Sequence, residues 1–192
     1  YLKAIERNLR GFYWLSLLAF VMSLLAKTAT VTLPVILLGI VWWKYHRLTF
    51  KDILYSVPFF VLSLAAGLSE IWFQYNRAMA SDARVDSMLE RLVTAGWAFY
   101  FYLGKLFYPD DLCFVYPTPV FDPSLLVSWS PVAVILLTIG VSLWKIKTWG
   151  RAVLFGLGYY GVVLLPVLGF LNIYFMRYSW VEDHWQYMAS IG

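Results

Sequence analysis

Five stretches of this chain are too apolar for a water-soluble core, at residues 11–26, 29–43, 54–73, 131–144 and 152–171. No Lys, Arg or Asp falls inside them, and their only Glu is Glu70, near an end. A bilayer accounts for the pattern, because its hydrocarbon core is about 30 Å thick and takes about 20 apolar residues per helix, with about 17 as the lower limit. The expectation is an all-α, polytopic transmembrane bundle of about five spans, forming one domain over residues 1–192. Two of the stretches are a residue or two short, which predicts thin or tilted crossings.

Composition agrees. Hydrophobic residues make up 61% of the chain and charged residues 14%, against about 45–50% and about 25% in soluble domains. Trp42, Trp43, Trp129 and Trp144 fall at or near span ends, where an apolar ring and a polar N–H are both satisfied. The net charge of +4 does not point to nucleic acid, because the basic residues are scattered at span ends instead of forming one patch. The single cysteine, Cys113, allows no internal disulfide and no multi-cysteine metal site. The opening YLKAIERNLR is basic and amphipathic, unlike a signal peptide. With no initiator Met, and Ser190-Ile191-Gly192 at the other end, the expectation is an internal portion of a longer protein.

Cytoplasmic loops collect Lys and Arg. With residues 1–10 inside, the inner loops are 1–10, 44–52 and 145–151. They hold Lys3, Arg7, Arg10, Lys44, Arg47, Lys51, Lys145, Lys147 and Arg151, nine of the fifteen basic residues. The outer side then takes Lys27, residues 74–130 and residues 172–192. Residues 89–108 are apolar and aromatic enough to cross, but the loop at 110–130 has no Lys or Arg, which suits the outer side. Residues 89–108 are therefore expected as an interfacial or re-entrant helix, with a sixth span as the rival. Pro34, Pro58 and Pro166 sit inside expected spans, where each predicts a bend that shapes a cavity or is merely tolerated.

No ionisable group is expected at mid-membrane depth, which argues against a coupled transporter or pump. Polar groups gather at outer span ends. Lys27, flanked by Thr28, Thr30 and Thr32, suits a lipid phosphate or is an ordinary snorkelling lysine. The segment from Arg177 to Tyr187 is the densest ionisable cluster. A metal site there is disfavoured, because Glu182, Asp183 and His184 are adjacent and their side chains diverge. Two readings stay open: a solvated interface strip, or a substrate-facing loop in which Asp183 and His184 offer acceptor and donor to a sugar or phosphate. The chain has no nucleophile triad, P-loop or dinucleotide motif, and no cofactor is expected.

Four segments, in order, resemble those of a known family. AKTATVTLPVILL (26–38) resembles "AKPxxVTLPxxLLLLD", and SVPFFVLSLAAG (56–67) is similar to "K-P-F-F-x-L-S". YFYLGKLFYPDDLCFVYP (100–117) looks like "YLGKLxWPxxLxxxYP", and EDHWQYMASIG (182–192) is similar to "ADRxxYLPSIG". These belong to the bacterial polytopic membrane proteins with tetratricopeptide repeats. That family is related to the transmembrane and tetratricopeptide-repeat-containing O-mannosyltransferases of the C-type glycosyltransferase fold. The chain departs from the pattern at Thr28 and Ala189, where Pro is usual, and at His184, where Arg is usual. His184 would hold a phosphate by charge only when protonated.

The resemblance implies a transferase that uses a polyprenyl-phosphate-linked sugar on the non-cytoplasmic side of a bacterial inner (plasma) membrane. The acceptor is a protein or glycan. Its catalytic acid is implied in a first outer loop upstream of Tyr1. Lys27, Arg177, Asp183 and His184 are the candidates within this chain for binding substrate or lipid phosphate. The alternatives are a non-catalytic membrane anchor or scaffold for a tetratricopeptide-repeat domain and, third, a lipid or small-molecule transporter.

Overall fold

The computed structural model describes residues 1–2, 10–78 and 86–191. Lys3 and Arg7 of the first basic loop, and residues 79–85 of the long outer segment, lie outside the described residues. The described residues are helical with no strand, and they fall into two compact units, Tyr1–Trp72 and Phe73–Gly192.

The first unit begins with α1, Arg10–Ala26. A 3-10 turn at Thr28–Thr32 follows, and α2 runs over Leu33–Tyr45. Pro34 stands in the first turn of α2, where a missing N–H costs nothing and the fixed φ suits helix entry. At the other end of α2, His46 takes a left-handed conformation (φ 59°) and donates its N–H to Trp42 O at 2.9 Å. That residue closes the helix as a glycine commonly would.

Helix α3, Phe50–Phe73, starts on a reciprocal cap. The Thr49 N–H and hydroxyl donate to Asp52 Oδ2 at 2.9 and 2.6 Å, and the Asp52 N–H returns to Thr49 Oγ1 at 3.3 Å. This start lies four residues before the expected one at 54, because the cap extends the helix into polar sequence. Pro58 does lie inside α3 and removes the N–H that would serve the Leu54 carbonyl. The core of this unit is Phe20, Leu24 and Phe59, with Phe59 also edge-on to Tyr1 and Tyr13.

In the second unit, α4 spans Met88–Phe107. Its start is a capping box: the Ser87 N–H donates to Glu90 Oε2 at 2.6 Å, and the Glu90 N–H donates to Ser87 Oγ at 3.3 Å. Helix α5 covers Ser130–Trp144 and α6 covers Gly150–Leu164. The turn between α5 and α6 is tight. The Gly150 N–H reaches Lys145 O at 3.0 Å, and a Cβ at Gly150 would stand 1.9 Å from Ser142 O. Only glycine fits that approach.

The last apolar stretch does not stay α-helical to residue 171. Its α-helix ends at Leu164, and a 3-10 turn, Leu165–Val167, carries Pro166. Pro166 cannot donate to the ladder, and the chain tightens there from α to 3-10 geometry.

Helix α4 is the most buried helix described. Val93, Thr94, Ala95, Gly96, Ala98, Phe99 and Tyr102 form its covered face. Ala95, Ala98, Phe99 and Tyr102 join Tyr160, Leu164, Leu168, Val181 and Ala189 in the core of the unit. Small residues let the backbones close up: a Cβ at Gly96 would meet Val132 Cγ2 at 2.8 Å.

Four helical stretches are long and apolar enough to cross a membrane, Thr28–Tyr45, Phe50–Asn76, Leu126–Trp144 and Gly150–Val167. The fifth expected span, Arg10–Ala26, is apolar but shorter, at 17 residues. Only 17% of the most apolar part of Leu126–Trp144 is buried in the protein. Leu136 and Leu137 there are 63% and 67% exposed. A continuous exposed apolar surface of this kind calls for lipid around it, and the chain reads as a membrane protein.

Candidate functional site

The segment that follows α6 folds back over the C-terminal half of α4. Tyr102, fully buried, accepts the Glu182 N–H at its hydroxyl, 3.0 Å away. Ser179, also fully buried, accepts the Tyr116 N–H at 2.8 Å and donates to Val181 O at 2.5 Å. The loop after α4 is thereby stitched to residues 179–183. Aromatic rings fill the seam: Phe101 meets Tyr116 at 4.9 Å and Trp180 at 5.5 Å, and Phe121 stacks flat on Trp97 at 5.2 Å. Burial of such rings is worth roughly 1.5–3 kcal/mol each where water is displaced.

Two acid-centred pairs emerge at this seam. The Asp183 carboxylate is held by the Tyr116 hydroxyl at 2.9 Å and by the Cys113 backbone N–H at 3.1 Å, both to Oδ2. Desolvation first, and then the Asp183 carboxylate, raise the Tyr116 phenol above its ordinary value, against the lowering effect of the Cys113 N–H. Beside it, His184 Nδ1 lies 3.0 Å from Glu182 Oε1. The Glu182 side chain is 5% exposed and that of His184 is 41% exposed. Lys105 closes the rim, its ammonium 5.6 Å from the centres of both the Phe101 and Tyr116 rings and bonded to the carbonyls of Asp110 and Asp111.

The four expected residues are placed unequally. Asp183 and His184 share one 3-10 turn, Asp183–Gln186. Arg177 ends the turn Tyr174–Arg177, with its guanidinium 5.9 Å from the Tyr178 ring centre. Lys27 belongs to the first unit, as the exposed residue that opens the turn Thr28–Thr32. Sequence reasoning missed Tyr116, Tyr102 and Ser179 as partners. Among the described residues no cluster of three or more His, Cys, Asp or Glu could hold a metal ion.

An apolar cavity of about 490 Å³ lies between α4, α5 and α6. It is lined by Leu92, Gly96 and Phe99 of α4, with Ile135 of α5 and Leu157 and Gly158 of α6 among the residues opposite. Its volume is that of a ligand pocket, and a wholly apolar lining holds hydrocarbon in preference to water.

Comparison with known proteins finds no matching family model, no similar curated protein and no similar solved structure.

Proposed function

We propose that this chain is part of a membrane glycosyltransferase that moves a sugar from a polyprenyl-phosphate carrier to a protein or glycan acceptor. The reaction takes place on the non-cytoplasmic side of a bacterial plasma membrane. The bundle would be a portion of a C-type glycosyltransferase-like fold, in the family with tetratricopeptide repeats that the four sequence segments resemble. One observation carries the reading. Helix α4 serves an apolar cavity with one half, through Leu92, Gly96 and Phe99, and the polar seam around Asp183 and His184 with the other, through Phe101, Tyr102 and Lys105. A lipid-linked sugar has the same division, a hydrocarbon chain joined to a polar head. In this reading Asp183 and His184 face the sugar, while Arg177 supplies a cation for the carrier phosphate.

The test is a substitution that fills the cavity. A Cβ at Gly158 meets nothing within 4 Å, so Gly158→Leu places a side chain in the cavity without disturbing the packed backbone. Transfer from a radiolabelled polyprenyl-phosphate sugar should fall at least tenfold in the full-length protein. Gly140→Leu is the control, since Gly140 is equally open and does not line the cavity. Equal transfer by both variants would remove the support that the cavity lends.

A further inference from the structure

Glu182 and His184 form a base–carboxylate pair built into the rim of the seam. An ionised Glu182 accepts hydrogen bonds only, and the His184 Nδ1 that lies 3.0 Å from its Oε1 then carries the hydrogen. In a neutral imidazole the lone pair then sits on Nε2, on a side chain that is 41% exposed. The Glu182 backbone is anchored from below, because its N–H is bonded to Tyr102, which no solvent reaches. The His184 ring also meets Trp185 edge-on at 6.0 Å. Asp183, next to it, has its Oδ2 taken by an O–H and an N–H donor. His184 is therefore the group at this rim arranged to receive a proton, oriented by an acid as the base in a catalytic dyad is oriented.

We propose that Glu182 is a positioning residue that fixes His184 in the Nδ1–H tautomer, so that Nε2 receives the proton of an acceptor hydroxyl. The second half rests on the transferase reading. The hydroxyl oxygen forms a bond to the anomeric carbon of the sugar while its proton passes to Nε2. The bond from that carbon to the carrier phosphate oxygen breaks, and the phosphate leaves with the electron pair.

The chain has two histidines, His46 and His184, and in nitrogen-15 NMR of histidine-labelled full-length protein in nanodiscs the signals lost in His184→Gln are those of His184. The expected spectrum shows His184 Nδ1 protonated and Nε2 bare when the ring is neutral. Glu182→Gln keeps an acceptor and should keep that tautomer, whereas Glu182→Ala should release it. A wild-type His184 in the Nε2–H tautomer overturns the proposal even if neither variant folds. Transfer is then assayed with a polyprenyl-phosphate sugar donor. His184→Gln should lower kcat about a hundredfold, and parental turnover would overturn the proton-accepting role. If the wild-type protein transfers no sugar, the transferase reading and the catalytic half fall together, and the tautomer still decides the part of Glu182.

Discussion

The phenol oxygen of Tyr116 lies 2.9 Å from Oδ2 of Asp183, joining residues 67 apart in the chain. Tyr116→Phe keeps the ring against Phe101 and deletes only the hydroxyl. The loss should be about 1 kcal/mol for a hydrogen bond at a half-exposed carboxylate. The Cys113 amide, which shares that carboxylate, should then exchange its hydrogen roughly fivefold faster. Unchanged exchange at Cys113 would mean that the Tyr116 hydroxyl adds nothing to the hold between the two segments.

The capping box at α4 gives a pH dependence. The Ser87 backbone N–H, and then its side chain, hold the Glu90 carboxyl below its ordinary value, which is about 4.3 in an unfolded chain. A carboxyl lowered by folding contributes stability above its unfolded value, and that contribution disappears as the pH falls through the lower folded value. The protection of the first-turn amides of α4, taken relative to the intrinsic exchange rate at each pH, should therefore fall below about pH 4. In Glu90→Gln that fall should be absent, and an identical pH profile of protection for the two proteins would contradict the cap.

Two sites test the orientation of the chain. The nine basic residues of the short loops place Lys145 inside and the loop with Cys113 outside. Cys113 is free and exposed. In intact cells a membrane-impermeant maleimide should label it directly, and should not label Lys145→Cys made in a Cys113→Ser background. Labelling of both positions from one side would overturn the assignment.

Gly150→Ala should be severe for so small a change. The added carbon would collide with Ser142 O and with the Lys145 carbonyl group, and these are backbone atoms that cannot rotate away. A loss of roughly 3 kcal/mol is expected, read as a drop in thermal unfolding temperature in detergent. Gly156→Ala, where nothing lies within 4 Å, should be neutral or slightly stabilising.

The spans were legible because charge is excluded from them, and that signal survives without knowledge of packing. Their edges were less legible. Residues 29–32, inside an expected span, belong to a 3-10 turn and not to the α-helix, and the Thr30 hydroxyl and N–H both return to Lys27 O, a local competition that hydropathy does not register. Pro34 and Pro166 read as bends, yet stand at a helix start and past a helix end. For residues 89–108 the helix was foreseen and its burial was not, since its three charges drew attention to its ends while Ala95, Gly96 and Ala98 form its covered face. Of the site, Asp183 and His184 were visible as ionisable residues in an aromatic segment. Tyr116 was not, because its role depends on a contact across 67 residues.

The turn that joins α5 to α6 has a consequence for how the protein is made. Five residues, 145–149, separate the two helices, so α5 and α6 are close neighbours from the moment both have left the ribosome. Entry into the membrane as a hairpin is the expected route, and the glycine at 150 sets how closely the two can fold. A defect at that position would appear first as failed insertion and degradation of the nascent chain, before any mature protein exists to lose activity.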